Sequence, residues 1–262
     1  NLEYNLDTPL YFFFINLIFL IGFIDDKIDV SANKKLLSFV IIFSIITYLD
    51  HELLIDILMF KDLDFTLNIF SFSIFFVVFC LVVFLNAANM FDGINLQCSS
   101  YFLFLNIYLQ LILEFDSFLT LLMIGLIFFM ILNAKNKSYL GDSGVYLMAT
   151  IYALIVIKLY NKGYLFCDQI LLMMLIPGLD MIRLTFLRVF KGTHPFKADN
   201  NHIHHLLASK FNEFKVFLIT FFLVVIPNFL GFLLNKYIIF ILISLLIYFY
   251  MIIKLNNANK KI

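Results

Sequence analysis

Long apolar runs, separated by short polar connections, fill most of this sequence and limit what it can fold into. Hydrophobic residues make up 63% of the 262 residues, and charged residues make up only 14%. A typical soluble domain is roughly 45–50% apolar and about 25% charged. A soluble fold of this size could not bury so much apolar surface, which excludes a water-soluble enzyme or binding module. The sequence therefore predicts a polytopic membrane protein.

Nine of the runs have the character of membrane-spanning helices, although some are shorter than the roughly 20 residues that a span usually needs. They cover residues 9–24, 36–49, 69–88, 98–114, 117–133, 144–160, 168–187, 214–234 and 237–254. Their apolar character is continuous rather than alternating, which disfavours a β-barrel, and a helix satisfies its own backbone in lipid. We therefore expect an all-α polytopic membrane helix bundle. No linker or repeat divides the chain, so residues 1–262 are treated as one domain.

The basic residues of the connections predict how the bundle is oriented. With nine spans, 14 of the 18 Lys and Arg residues fall on one side of the membrane. The other side carries Lys61, Lys158, Lys162 and Lys236. Because basic residues favour the cytoplasmic side, the first set is predicted to face the cytoplasm from the plasma (inner) membrane. The N-terminus is then outside and the C-terminus inside.

Charge, cysteine content and the first span exclude several other classes of protein. The net charge is zero, which removes whole-protein electrostatic attraction to nucleic acid. The three cysteines lie in or beside apolar runs and do not form a disulfide framework. The first span has no basic segment before it and no cleavage site, so it is not a signal peptide. Because the chain begins with Asn, we expect an N-terminal portion to be missing.

Four polar segments interrupt the apolar runs, after the first, third, fifth and seventh predicted spans. They read GFIDDKID from Gly22, NAANMFDGIN from Asn86, YLGDSG from Tyr139, and the loop 190–213, which contains HPFKADNNHIHH. All four fall on the predicted cytoplasmic side. Ionisable groups at the edge of a bilayer are costly. Four such segments on one side therefore predict that they converge on one shared site.

The residue types in these segments suit phosphoryl transfer. Clustered carboxylates suit Mg²⁺, which is usually held by one or two carboxylates together with phosphate oxygens. The turn at 141–144 lets the backbone approach a ligand closely and offers N–H groups to an anion. Histidine side chains near their neutral pKa can donate to phosphate or act as acid or base. Metal, diphosphate and lipid together indicate phosphoryl transfer at the membrane surface.

The first two polar segments also have structural interpretations, which the residues alone leave open. The aspartates at 25–26 suit a solvated loop after a helix, and the Asp-Gly pair at 92–93 suits a turn. Asn86 and Asn89 suit helix capping or hydrogen bonds between helices.

The same holds for the later segments. Asp142 or Ser143 suits an N-cap of the next helix, and Asp180 with Arg183, three residues apart, suits an ion pair. Four of the five histidines fall within twelve residues, so a zinc site is conceivable. No cysteine or suitably spaced ligand set accompanies them.

The motifs GFIDD, NAANMFDG, LGDSG, PGLDMIR and HPFKADNNHIHH occur in an order that resembles the polyprenyl-phosphate N-acetylhexosamine-1-phosphate transferase family. The resemblance covers about residues 10–215, and five motifs in sequence order make it specific. The histidine segment looks like the branch that uses UDP-GlcNAc or a related UDP-HexNAc. The muramoyl-pentapeptide branch usually carries three consecutive histidines, whereas this chain reads His-Ile-His-His.

The resemblance implies a reaction and its cofactor. A polyprenyl phosphate, such as undecaprenyl phosphate, attacks the β-phosphate of a UDP-sugar. UMP is released, and a lipid-linked sugar diphosphate remains to initiate synthesis of a cell-envelope polysaccharide. Mg²⁺ is the implied cofactor, with Mn²⁺ as a substitute. A homodimer is also expected from this resemblance.

The roles of individual residues are carried over by motif. Asp25 and Asp26 match the paired aspartates, one of which activates the lipid phosphate or helps to organise Mg²⁺. Asp142 matches the aspartate that ligates Mg²⁺, and Asn89 and Asp92 match the nucleotide-pocket motif. The histidine motif is taken to contact the diphosphate or nucleotide. The candidate catalytic residues are Asp25, Asp26, His204 and His205, the substrate-binding residues Asn89, Asp92 and His202, and the metal ligands Asp142 and Asp26.

The chain departs from the family pattern in three ways. Asn95 and Leu96 replace the second acidic residue and glycine of Asp-Gly-x-Asp-Gly, and Asn200 stands where an arginine is usual. The family pattern also leads us to expect two N-terminal spans and a basic, glycine-rich cytoplasmic loop before the paired aspartates, and the given sequence does not contain them.

Two other functions are weighed against the transferase. The aspartates at 25, 26 and 29 fit the DDxxD pattern of Mg²⁺-dependent intramembrane prenyltransferases, but these enzymes need a second aspartate-rich loop. A membrane transporter would use intramembrane charges as an ion path. Transporters place broken helices at mid-membrane and often show internal repeats, whereas the polar motifs here lie at one surface.

Overall fold

The computed structural model describes Leu6, residues 9–193 and residues 201–259. These residues form ten α-helices and one two-stranded sheet. The helices are α1 (Pro9–Ile28), α2 (Ala32–Leu49), α3 (Ser73–Phe91), α4 (Gln97–Leu113), α5 (Ser117–Asn133), α6 (Gly141–Asn161), α7 (Cys167–Phe190), α8 (Ile203–Ala208), α9 (Glu213–Leu234) and α10 (Tyr237–Asn259). The strands are β1 (Ile57–Phe60) and β2 (Phe65–Asn68).

The predicted polytopic helical bundle is confirmed. Within the described residues, seven helical segments are long and apolar enough to cross a membrane, and they comprise α1, α2, α3, α6, α7, α9 and α10. Helices α4 and α5 have 17 residues each, which corresponds to about 26 Å at 1.5 Å per residue. Since this is shorter than a bilayer core of about 30 Å, the count of nine spans stays a prediction.

Helix α6 forms the centre of the bundle. In its most apolar window 83% of the residues are buried, against 22–44% in the other six candidate spans. It packs against α1, α3 and α4, with the rings of Tyr146 and Tyr152 fully enclosed. The N-terminus of this central helix is the Gly141–Gly144 turn, so the fold places that turn among several neighbouring helix ends.

A β-hairpin between α2 and α3 was not foreseen from the sequence. Strands β1 and β2 pair antiparallel, with Ile57 opposite Asn68 and Phe60 opposite Phe65. The hydroxyl group of Tyr160, near the C-terminus of α6, donates to the carbonyl of Ile57 (2.6 Å) and accepts from the amide of Met59 (2.7 Å). The hairpin therefore lies at the opposite end of α6 from the Gly141–Gly144 turn.

A cluster of charged side chains around the buried Lys158 lies at that same end. Lys158 on α6 is 3% exposed and lies 2.9 Å from a carboxylate oxygen of Glu52 and 3.4 Å from one of Asp50. Its ammonium also lies 4.7 Å from the ring centroid of Tyr11 on α1. The hydrogen bond from the Lys158 ammonium to Glu52, together with the positive charge of Lys158, lowers the pKa of the Glu52 carboxyl below its usual value.

Candidate active site

The paired aspartates at the end of α1 point to different partners. The carboxylate of Asp26 accepts hydrogen bonds from the amides of Asp142 (2.9 Å) and Ser143 (3.2 Å) and from the Ser143 hydroxyl (2.7 Å). Asp26 thus satisfies unpaired N–H groups at the start of α6, where a negative charge is also favoured by the helix dipole. The interpretation of Asp142 or Ser143 as the N-cap is wrong, because that cap comes from α1.

Two glycines permit this close approach of α1 and α6. Gly141 has a φ of +64°, and a Cβ there would lie 2.9 Å from a carboxylate oxygen of Asp26. A Cβ at Gly22 would lie 2.5 Å from the Cα of Ser143. Side chains at either position would push the two segments apart, so the glycines allow the backbone contact that brings two of the polar motifs together.

Lys35, at the start of α2, joins the two acidic motifs. Its ammonium forms an ion pair with Asp25 and lies 3.5 Å from Oδ2 of Asp142. Asp25 also accepts from the amide of Val30 (2.7 Å). In the sequence, Lys35 is distinguished only as one of the basic residues that predict the orientation of the bundle. No local pattern separates it from its neighbour Lys34, and its role becomes visible only from the packing of α2.

The C-terminal end of α3 adds Asn89 and Asp92 to the same cluster. The side-chain amide of Asn89 donates to Oδ1 of Asp142 (2.7 Å). Asp92 follows the last residue of α3, and burial raises the pKa of its carboxyl to about 7, with the charges of Asp142 and Asp26 acting in the same direction. This end of the bundle therefore concentrates negative charge around a few buried carboxylates.

The histidine segment closes over Gly93, next to Asp92. A Cβ at Gly93 would lie only 1.9 Å from Nε2 of His204. Burial, followed by the neighbouring imidazoles of His205 and His202, lowers the pKa of His204 to about 3, so its ring is neutral at physiological pH. Nδ1 of His204 is buried and has no hydrogen-bond partner among the described residues.

His202 and His205 flank this buried ring. The ring of His202 stacks on that of His204, with centroids 5.3 Å apart and planes within 10°. The ring of His205 is 4.3 Å from that of His204 and its side chain is exposed. Nδ1 of His202 lies 2.9 Å from Oδ2 of Asp180, whose other oxygen pairs with Arg183 at 2.7 Å. The ion pair expected between Asp180 and Arg183 is thus present.

The predicted convergence of the four segments is confirmed by these contacts. The structure brings together Asp25, Asp26, Asn89, Asp92 and Asp142, with the histidine segment seated on Gly93. His194, Lys197, Asp199 and Asn200 of the histidine motif lie outside the described residues. Asn95 stands where the family pattern has a second acidic residue. Its backbone amide donates to Glu213 (3.2 Å), and its side-chain oxygen accepts from the side-chain amide of Asn133 (3.2 Å).

The donor set suits a hard cation held jointly with a substrate. Among the described residues, no three His, Cys, Asp or Glu side chains form a ready-made metal cage. Mg²⁺ needs no such cage, because it is typically bound by one or two carboxylates and by phosphate oxygens. Asp142 lies beside Asp25 and Asp92 with a single amine, Lys35, shared between two of the carboxylates. Carboxylate oxygens in this arrangement fit Mg²⁺ better than they fit zinc.

An apolar groove on the bundle surface ends near this cluster, at Leu36 and Asn86. It has a volume of about 1060 Å³ and lies between α2, α3 and α7. Its walls include Val40 of α2, Val78 and Val82 of α3, and Phe186 of α7. Asn86, one helical turn before Asn89, lies at its inner end, and Phe70 at the hairpin end. The groove was not foreseen, because lipid-facing and groove-lining residues have the same composition.

Comparison with known proteins places the chain in a family. The model of glycosyl transferase family 4 matches residues 8–160, which is more than half of the chain. An undecaprenyl-phosphate alpha-N-acetylglucosaminyl 1-phosphate transferase of Thermotoga maritima is 26% identical over 262 residues, covering 98% of this chain and 81% of the relative.

Two further relatives carry the same description. That of Salmonella typhi is 26% identical over 211 residues, covering 76% of this chain, which spans about 57% of that relative's length. That of Haemophilus influenzae is 34% identical over 76 residues, covering 28% of this chain and 21% of the relative.

These matches confirm the resemblance given by the five motifs and favour the transferase over the prenyltransferase and the transporter. The helical membrane bundle and the contacts between the acidic motifs agree with this family assignment. The chain belongs to glycosyl transferase family 4.

Proposed function

We propose that the protein transfers a GlcNAc-type HexNAc-1-phosphate from a UDP-sugar to undecaprenyl phosphate at the cytoplasmic face of the plasma membrane. The observation that carries this proposal is the junction of α1, α3 and α6, where Asp142 lies against Asp25, Asp26 and Asn89. A carboxylate cluster at a helix end suits a substrate that brings several phosphate charges and a divalent cation. The names of the relatives support the choice of sugar and lipid.

In the proposed reaction, an oxygen of undecaprenyl phosphate attacks the β-phosphorus of the UDP-sugar. The bond between that phosphorus and the oxygen bridging to the α-phosphate breaks, and UMP departs with the bond's electron pair. The remaining product is undecaprenyl diphosphate carrying the sugar. Little covalent chemistry falls to the protein, so positioning and charge stabilisation are its main contributions.

Asp142 and Asp26 are the proposed ligands of Mg²⁺, for which Mn²⁺ can substitute. When bound, the ion supplies positive charge to the bridging phosphate oxygens of the donor. Asp142 has an exposed side-chain fraction of 28%, which leaves it open to a ligand. Asp26 already accepts three hydrogen bonds from the start of α6, so it orients Asp142 as well.

Asp25 is proposed to position the lipid phosphate as the nucleophile. Its ion pair with Lys35 places an amine beside the carboxylate. Lys35 offsets the negative charge of Asp25 and Asp142, so the phosphate approaches a cluster whose charge is partly balanced.

Asn89, Asp92 and His202 are the proposed binding residues for the sugar nucleotide, with His204 and His205 acting at the diphosphate. The neutral ring of His204 has a buried Nδ1 with no partner among the described side chains and backbone groups. A neutral imidazole carries one donor and one acceptor nitrogen. His204 and the exposed His205 are therefore suited to hydrogen bonding with the diphosphate oxygens of the sugar nucleotide.

The apolar groove between α2, α3 and α7 is the proposed path of the undecaprenyl chain. Its inner end at Asn86 lies one turn from Asn89, which itself binds Asp142. A polyprenyl phosphate lying there would have its hydrocarbon chain against Val, Ile and Phe side chains and its phosphate at the acidic cluster. This arrangement explains why the acceptor and the soluble donor could meet at a single helix end.

The test is a donor panel with direct detection of the lipid product. Membranes from cells that express the protein are incubated with undecaprenyl phosphate, Mg²⁺ and either UDP-GlcNAc, UDP-GalNAc or UDP-glucose. We expect a lipid-linked sugar diphosphate from UDP-GlcNAc, identified by mass spectrometry, and none from membranes that lack the protein. Absence of lipid-linked product from every UDP-sugar, with the protein present and folded, would overturn the proposal.

A further inference from the structure

Tyr248, near the middle of α10, makes a polar contact with α7 inside the bundle. Its side chain is fully buried, and its hydroxyl group donates to Oδ1 of Asp180 at 2.7 Å. The same hydroxyl accepts from Nε of Arg183 at 2.8 Å. Tyr248 lies outside all five sequence motifs and outside the region matched by the family model. A buried hydroxyl shared by an aspartate and an arginine fixes both of them in one arrangement.

Asp180 in turn fixes the start of the histidine segment. Because a carboxylate only accepts hydrogen bonds, Nδ1 of His202 donates to Asp180 across their 2.9 Å contact. The amide of Ile203, the first residue of α8, lies 3.2 and 3.3 Å from the two oxygens of Asp180. Arg183 adds a third tie, since its Nη2 donates to the carbonyl of Asn201 at 2.7 Å.

These ties determine where the remaining histidines lie. The ring of His202 stacks on that of His204, and His204 fills the space beside Gly93. A shift of His202 away from Asp180 would therefore displace His204 relative to Asp92 and Gly93. The hydroxyl of Tyr248 affects this placement indirectly, because it holds Asp180 and Arg183, which contact the histidine segment.

We propose that Tyr248 is a positioning residue for the sugar-nucleotide side of the active site. Through Asp180 it holds the segment His202–His205 in place against the end of α3. This inference rests on the proposed function for its kinetic consequence, whereas its structural consequence does not depend on the substrate. The last helix of the bundle then has a role in donor binding, besides its contact with lipid.

The variant Tyr248→Phe removes the hydroxyl and keeps the ring, so the helix packing of α10 is retained. Tyr250→Phe is the matched control, since it deletes the same atom two residues away, on a side chain that is 65% exposed. Arg183→Lys is a second variant, which keeps the charge and loses the guanidinium contacts to Tyr248 and Asn201. It tests the same network if Tyr248→Phe lowers the yield of folded protein.

Two measurements read out the proposal. In hydrogen exchange, the peptide containing residues 202–208 should exchange about tenfold faster in Tyr248→Phe, because a hydrogen bond to a charged group is lost. In kinetics, the KM for the UDP-sugar should rise about tenfold by the same reasoning. The KM for undecaprenyl phosphate should stay unchanged, because the acceptor groove does not contain the histidine segment.

The outcomes separate this inference from the proposed function. Exchange in residues 202–208 equal to that of Tyr250→Phe would overturn the inference, as would equal increases in KM for both substrates. If the unaltered protein turns over no UDP-sugar, the proposed function fails, and the exchange measurement still decides whether Tyr248 holds the histidine segment.

Discussion

The carboxylates of Asp26 and Asp142 have different surroundings, which divides their expected roles. Asp26 accepts three hydrogen bonds, all from the backbone and side chain at the start of α6. Asp142 instead receives single contacts from Asn89 and Lys35 and a 3.2 Å hydrogen bond from Tyr146. We therefore expect the charge of Asp26 to contribute both to the junction of α1 and α6 and to the proposed site, and that of Asp142 to contribute mainly to the proposed reaction.

Replacing Asp142 by Asn should reduce the turnover number by at least about 100-fold, the scale seen when one group that stabilises transition-state charge is removed. The shape of the side chain is kept, and its contact with Asn89 can be reformed. The turnover number is measured as UMP release at saturating UDP-GlcNAc and undecaprenyl phosphate.

Asp64→Asn is the control for this change. It is the same substitution on an exposed aspartate in the hairpin, and Asn tolerates the φ of 47° found there. Turnover of Asp64→Asn should match that of the unaltered protein. A near-normal rate for Asp142→Asn would reject Asp142 as a metal ligand.

Among the elements, the contact between α1 and α6 carries the greatest constraint. The backbone of Ser143 approaches Gly22 so closely that a methyl group would overlap it. Helices that approach through small residues are common in membrane bundles, because van der Waals packing drives their association. The same contact places Asp26 over the amides of α6, so a side chain at Gly22 would disturb both the helix packing and the geometry of the site.

Gly22→Ala should lower the stability of the bundle by about 1–3 kcal/mol, the usual cost of overpacking, and should also lower activity. Gly125→Ala on α5 is the matched control, since no atom lies within 4 Å of a Cβ there and Ala favours helix over Gly. The thermal unfolding midpoint in detergent is measured for both. Equal midpoints for the two variants would show that α1 and α6 are not packed as described.

Sequence patterns identified most of the elements but not all of their partners. Continuous apolar runs predicted the long helices, since lipid and protein neighbours both select apolar side chains. The hairpin was missed because its strands have only four residues each and its tip, Lys61-Asp62-Leu63-Asp64, lacks the Asn-Gly or Asp-Gly pair that marks tight hairpins. Lys35 and Tyr248 were missed because each contacts a residue far away in the sequence. Asp142 lies 107 residues from Lys35, and Asp180 lies 68 residues from Tyr248.

At the scale of the whole molecule, the two ends of the bundle differ in character. One end carries the acidic cluster and the histidine segment, and the other carries the hairpin and the ion pairs of Lys158. The motifs predicted this division, because the polar segments follow alternate spans. The distribution of basic residues predicts that the end with the acidic cluster faces the cytoplasm, and this prediction is open to a direct test.

Single cysteines at Lys137 and Leu63 should report opposite sides of the membrane. Both side chains are exposed, and Cys80, Cys98 and Cys167 are first replaced by Ser. With a thiol reagent that does not cross membranes, Lys137→Cys should react only after the cells are permeabilised, because it lies at the end of the bundle that carries the acidic cluster. Leu63→Cys, in the hairpin, should react in intact cells. The reverse pattern would overturn the orientation.

The carboxylates at the ends of α1 and α6 and just after α3 are proposed to form one site for phosphoryl transfer between a UDP-sugar and a lipid phosphate. The most direct test of this proposal is UMP release from UDP-GlcNAc by membranes that contain the protein, with each component left out in turn. UMP should form only when undecaprenyl phosphate and Mg²⁺ are both present, should stop in EDTA, and should return when Mg²⁺ is restored. Sustained UMP release in EDTA, or equal release without the lipid, would show that these carboxylates do not form such a site.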